Sequence, residues 1–224
     1  MGWMAGLRNC EQCGTAFAPR REHARFCSAR CRAAWNRGHA GHRMAEAAAL
    51  GWSVTAMCDV TGRLGRVRAG DQARGLAAVS EAVWWVTIVD ATLVRHHPGA
   101  YDGILSGQPP AERRLIEGTL AGLRFVRNQM GHHREPEDFI CPAPGRPGGD
   151  EDRVSEWTWK SLTEPPLGSL APSGRAWERA RYQAYQAQLA GHPAGDTFGR
   201  AAEFLRRAAA RANLPHEYEH AAAR

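Results

Sequence analysis

Residues whose types and spacing can do chemistry gather in two places, and the first lies near the start of the chain. From Cys10 to Cys31 it reads CEQCGTAFAPRREHARFCSARC: a C-x2-C pair, thirteen intervening residues, then a C-x3-C pair. Two close pairs of thiolates are the donor set of a closed tetrahedral zinc site. Gly14, directly after Cys13, suits the tight turn that must present the first two sulfurs. Cys27 and Cys31 are four residues apart and share one face if a helix starts there. The large apolar side chains inside this span are Phe17 and Phe26, too little core to fold it. A structural Zn2+ on Cys10, Cys13, Cys27 and Cys31 is therefore expected to supply most of the folding energy. Unrelated thiols and disulfides are the competing readings. Nothing else in the chain looks secreted, which weighs against disulfides.

The opening Cys10-Glu11-Gln12-Cys13-Gly14 and the closing Phe26-Cys27-Ser28-Ala29-Arg30-Cys31 resemble the short bacterial treble-clef and zinc-ribbon modules, including that of the YacG family of DNA gyrase inhibitors. The resemblance covers roughly the first 40 residues and implies zinc. It does not choose a partner, because such modules bind proteins as well as nucleic acids.

Charge follows the same boundary. The chain carries 29 basic and 23 acidic residues, a formal net charge of +6. Residues 1–43 hold Arg8, Arg20, Arg21, Arg25, Arg30, Arg32, Arg37 and Arg43 against Glu11 and Glu22, so the whole excess sits there. A basic module on a neutral body is the electrostatic footprint of a nucleic-acid contact. Arg20, Arg21, Arg25, Arg30, Arg32 and Arg37 are the candidate phosphate contacts, and Trp35 a stacking platform. Since all but one of the basic residues are Arg in an Ala- and Gly-rich chain, codon bias competes with selection for phosphate binding. A solubilising Arg-rich surface is the bland alternative.

The second place is Phe125-Val126-Arg127-Asn128-Gln129-Met130-Gly131-His132. Arg127 is four residues beyond Leu123 and three before Met130, so helical spacing puts it on an apolar stripe. A buried Arg must be paired or must line a site. Asp90 and Glu81, acidic residues in an otherwise apolar segment, are the candidate structural partners. About one R-x4-H pair is expected by chance in so Arg-rich a chain, and Arg37/His42 and Arg211/His216 also fit the spacing. Only the middle one carries Asn after Arg on a strongly patterned helix.

That run resembles the R-x4-H signature of HEPN domains in its R-N-x-x-x-H form. The resemblance implies a metal-independent endoribonuclease in which two protomers bring their motifs together. His132 would be general base or acid, Arg127 would stabilise the scissile phosphate, and Asn128 would orient one of them. RNA and a second copy of the chain are then the expected partners. The alternative is a non-enzymatic protein that binds nucleic acid or protein through its zinc module, with a helical body that dimerises or docks.

The elements that must position these residues read as all-α: a HEPN-like helical bundle with a small zinc module. The expected organisation is a zinc-binding basic module over 1–43, a bundle over 44–214 and a tail over 215–224. A short helix after Cys31 is expected to break at Gly38 and Gly41, with Gly51 dividing the next piece and 61–70 forming a connector. His39 and His42 read as surface histidines. Asp71 caps a long helix over 72–95, apolar almost all round. Residues 96–110 read as loop, and Pro110 opens a helix to Met130 that buries Leu115, Ile116, Leu120, Leu123, Val126 and Met130 and exposes Arg124. Residues 132–153 read as an exposed loop, Trp157-Thr158-Trp159 as a hairpin arm, and two further helices span 174–190 and 196–212. No phosphate-binding glycine loop or nucleophile elbow occurs. Glu81 and Asp90 interrupt the longest apolar run, which argues against a membrane span. With no leader pattern and with Cys58 and Cys141 read as reduced thiols, the expected location is the cytoplasm.

Overall fold

The structure, a computed structural model, describes residues 7–19, 24–67, 71–130, 134–142, 157–165 and 172–212, with the backbone alone for 39–47. The chain divides into two compact units, Met1–Ala49 and Leu50–Arg224. The first is small. Strands β1 (Arg8–Asn9) and β2 (Ala16–Phe17) pair antiparallel, Arg8 opposite Phe17. The turn between them closes through Cys10 N–H to Thr15 O and Gly14 N–H to Cys10 O. Gly14 has φ +72°, a left-handed conformation that favours glycine, as the CxxCG pattern predicts.

Helix α1 (Ala29–Leu64) starts with Ser28 Oγ accepting from Cys31 N–H at 3.1 Å. It runs unbroken through Gly38, Gly41 and Gly51, where breaks were expected. Each interior glycine costs only about 1 kcal/mol relative to alanine. The Ala-rich sequence around them, with no proline in the helix, meets that cost. The same helix takes up the first part of the expected connector, ending at Leu64.

Among its described residues the larger unit is all-α apart from one hairpin. Helix α2 (Gln72–His96) is capped as predicted, Asp71 Oδ1 accepting from Arg74 N–H. Its buried residues Val79, Ala82, Val83, Val86, Val89, Asp90 and Leu93 follow helical spacing on one face. Helix α2 is long and apolar enough to cross a membrane, and half of its most apolar window is buried inside the fold, as in a core helix. It packs against α3 (Pro98–Ser106), α4 (Pro110–Met130) and α7 (Ala194–Ala212). Helix α3 replaces the expected loop: Pro98 starts it and Tyr101 anchors it in the core, edge-on to Phe204 at 5.0 Å between centroids.

Within the expected loop over 132–153, the described residues form α5 (Pro136–Phe139) and β3 (Ile140–Pro142), with Phe139 and Ile140 buried. Strand β4 (Trp157–Trp159) pairs antiparallel with β3, Cys141 opposite Thr158, so the Trp-Thr-Trp alternation is a hairpin arm. Both indoles are buried, and Trp159 Nε1–H donates to Thr197 Oγ1 at 3.0 Å. Helix α6 (Pro172–Gln188) lies against α4, where Gly122 lets the backbones approach: a Cβ there would sit 2.7 Å from Leu189 and 3.1 Å from the Tyr185 backbone. Helix α7 buries Phe198, Ala201, Phe204, Leu205 and Ala208, as its spacing predicts.

Candidate functional site

Four cysteines in the small unit converge. Cys10 and Cys13 ride on the β1–β2 turn, Cys27 precedes α1 and Cys31 lies in its first turn. All four sulfurs lie within 4.8 Å of one another, a set able to hold a metal ion. Cys13 and Cys27 are 3.7 Å apart and Cys27 and Cys31 3.5 Å. The backbone amide at Cys27 lowers the Cys10 thiol to about 6. Proton sharing with Cys31 raises Cys27 to about 12. Arg25 braces the unit. Its guanidinium makes a two-pronged pair with Glu11, and it stacks 5.0 Å from the Trp35 ring and 5.6 Å from Phe26.

That arrangement divides the sequence-predicted nucleic-acid residues. Arg25 is committed to Glu11, and Trp35 is half-buried beside Phe26 at 5.6 Å, so both hold the unit together. Arg30, Arg32 and Arg37 are exposed. Arg20 and Arg21 lie outside the described residues.

In the larger unit, the sequence reading of Arg127 is corrected. Arg127 is exposed, and Arg124, expected on the solvated side, is the half-buried arginine. Asp90, with a side chain only 2% exposed, receives Arg124 Nε–H at 2.5 Å and Arg124 Nη2–H at 2.8 Å, and also Tyr101 Oη–H at 3.1 Å. Burial opposes the Arg124 charge, yet Asp90 holds its pKa above the ordinary value. Burial foremost, then Asp90, pushes Tyr101 up. Glu81 is exposed and pairs with Arg63, so neither candidate acid serves Arg127.

The cause is a rotation of α4's buried face along its length. In its last turns Gly122, Phe125 and Gln129 turn toward α6, where Phe125 meets Tyr182 and Tyr185 and Gln129 Nε2–H donates to Glu178 at 3.1 Å. At 3.6 residues per turn Arg127 stands about 160° from Gln129. Its guanidinium lies over the Trp84 ring at 4.8 Å, and among the described residues it has no carboxylate partner. Asn128 donates to Glu178 at 3.4 Å. His132 lies outside the described residues.

Arg127 and Asn128 line a cleft of about 470 Å³ between α2, α4 and α6. Arg124, Arg181 and Trp177 line it too, with Ile88, Ala91 and Val94 as an apolar wall. Arg181 stacks over Trp177 at 4.0 Å and lies 3.7 Å from the buried Glu178. The sequence reading missed Trp177, Arg181 and Glu178. Trp177 and Arg181 carry a legible signal, i,i+4 spacing on one helix. Glu178 carries none. A search of family models, curated proteins and solved structures finds no match to this chain.

Proposed function

We propose that this protein is a HEPN-like, metal-independent endoribonuclease carrying a structural zinc module related to the treble-clef and zinc-ribbon class. The observation that carries the ribonuclease reading is Arg127: exposed at the cleft, without a carboxylate among the described residues, and stacked on Trp84. The rival account tied Arg127 to a core acid, and Arg124 occupies that role at Asp90. A guanidinium held by an aromatic face and left electrostatically uncompensated suits a phosphate oxygen.

In the proposed reaction the 2′-oxygen attacks phosphorus and the bond to the 5′-oxygen breaks, giving a cyclic phosphate and a 5′-hydroxyl. His132 takes the proton from the 2′-hydroxyl or supplies one to the leaving oxygen. Arg127 offsets charge on the phosphate, and a second protomer contributes its own motif. Zinc is favoured over other metals for the four-thiolate set. With Zn–S near 2.3 Å, a tetrahedron has edges of about 3.8 Å, close to the 3.5 and 3.7 Å separations between neighbouring thiols. Zinc would supply fold stability and take no part in cleavage.

Incubation of a labelled mixed-sequence RNA with the protein in EDTA tests this, beside His132→Ala. Cleavage by the parent alone is expected; RNA left intact by both overturns the ribonuclease reading. One observation favours the non-enzymatic alternative, a zinc protein that binds nucleic acid or protein: Asn128 donates to the buried Glu178, a role in packing α4 on α6. That reading predicts an RNA mobility shift fading with salt and leaving no product.

A further inference from the structure

The cleft contains more than the Arg-Asn-His run needs, and its two walls differ in kind. On the α4 and α6 side stand three guanidinia, of Arg124, Arg127 and Arg181. Asp90 neutralises the first. Glu178 only partly offsets Arg181, at 3.7 Å, while accepting bonds from Gln129 and Asn128 as well. Burial pushes Arg181 below its ordinary value, so an arriving anion would relieve a charge that the fold leaves under-compensated. Opposite, α2 presents an aliphatic strip of Ile88, Ala91 and Val94, the last 46% exposed, beside Thr87 and the Asp90 carboxylate that Arg124 covers. At the rim Trp177 is 67% exposed, and Arg181 stacked at 4.0 Å engages one face of its indole. A stacked guanidinium orients the ring and leaves the other face for a ligand.

We propose that Trp177 and Arg181 form a nucleotide subsite, in which an unpaired base of a single strand stacks on Trp177 against the apolar wall and its phosphate lies between Arg181 and Arg127. This deepens the ribonuclease reading and rests on it for RNA as the strand. A cavity of about 470 Å³ is within the usual range for small-ligand sites, roughly 300–1,000 Å³. The guanidinia of Arg127 and Arg181, the Trp177 indole beside Arg181 and the aliphatic strip opposite match a ligand with a phosphate at one end and a planar ring at the other. Base stacking on an aromatic side chain is tolerant of sequence and requires the base to be out of a duplex. The subsite therefore selects strandedness.

The test uses the full chain and an uncleavable probe, a fluorescein-labelled 2′-O-methyl RNA pentamer, read by anisotropy in the parent, Trp177→Ala and Arg181→Lys. Trp177→Ala is expected to weaken the single strand by roughly 5- to 100-fold and to leave a duplex, the same five bases paired in the stem of a hairpin, within twofold. Arg181→Lys, which keeps the charge but loses the planar stack, is expected to fall between parent and Trp177→Ala. Trp177 is largely exposed, so its removal leaves the fold intact, which an unchanged melting midpoint verifies. Unchanged single-strand affinity in Trp177→Ala, or equal loss for duplex and single strand, overturns the subsite. A nucleoside 5′-monophosphate that competes at the pentamer's own concentration also overturns it, since the site would then serve a free nucleotide. The two readings fail separately. Trp177-dependent binding without His132-dependent cleavage leaves the subsite standing and removes the ribonuclease. His132-dependent cleavage whose KM ignores Trp177→Ala does the reverse.

Discussion

The cysteine cluster and the arginine cleft are built by opposite means. The cluster draws its four donors from 22 consecutive residues, on one tight turn and one helix start. Its geometry is local, and the spacing of the residue types nearly specifies it. The cleft takes its walls from α2, α4 and α6, and each contributing residue depends on which way a packed helix faces. A local site can be read from a motif. An assembled one depends on a competition between neighbouring helices for the same face.

The largest effect that should separate the two regions is loss of the metal. Cys13→Ser is expected to abolish stoichiometric zinc in the purified protein and to collapse dispersed amide NMR signals of residues 7–37. Structural zinc contributes an apparent 10–16 kcal/mol, roughly, in small domains that lack a core. The body over 50–212 should keep its melting midpoint, and a body that melts along with the module would erase the contrast.

Next comes the assembled side. Asp90→Ala leaves the Arg124 guanidinium unpaired in its half-buried place, at a cost of about 3 kcal/mol. A drop of roughly 6–12 °C in the melting midpoint should follow. Gly75→Ala drives a methyl into the Trp157 ring, since a Cβ there would lie 1.8 Å from the indole, and about 2 kcal/mol should be lost. Alkaline pH gives a smaller effect. Burial raises the phenols of Tyr101 and Tyr185 above their ordinary value, so both stay protonated in the folded state. Their contribution is fully present below pH ~10 and is lost as pH climbs past it, by up to ~1.4 kcal/mol per unit for each. Phenolate absorbance should therefore appear together with unfolding. If Tyr101 titrates in the folded protein near pH 10, the Asp90 network is loose; if Tyr185 does, its burial beside the Lys160 carbonyl is incomplete. The smallest effect belongs to Arg127→Ala, within about 0.5 kcal/mol for an exposed side chain. A shift as large as that of Asp90→Ala would return Arg127 to the core.

How much was legible follows the same divide. The four cysteines, the Gly14 turn, the Asp71 cap, the Pro110–Met130 helix and the Trp-Thr-Trp arm could all be read from short-range chemistry. Helix α3 was missed because Pro98 and Gly99 read as a stop, whereas Pro98 opens a helix that Tyr101 and Phe204 hold in place. Arg124 and Arg127 exchanged roles for a different reason. Periodicity assumes that one face of a helix stays buried from end to end, and α6 takes a different face of α4 near its end. Asp90 did show in the sequence as a buried acid in need of a partner. Which arginine would answer it was a matter of tertiary packing.

The glycine beneath Trp157 also bears on how long the body keeps its native state once formed. Helices collect their own hydrogen bonds from near neighbours and form early. The indole of Trp157 fills its place over Gly75 only after the intervening helices have been brought together, so this contact joins parts of the chain that are far apart in sequence. A Trp157→Phe variant is thus expected to unfold faster while folding at nearly the parent rate, the signature of a contact absent from the transition state.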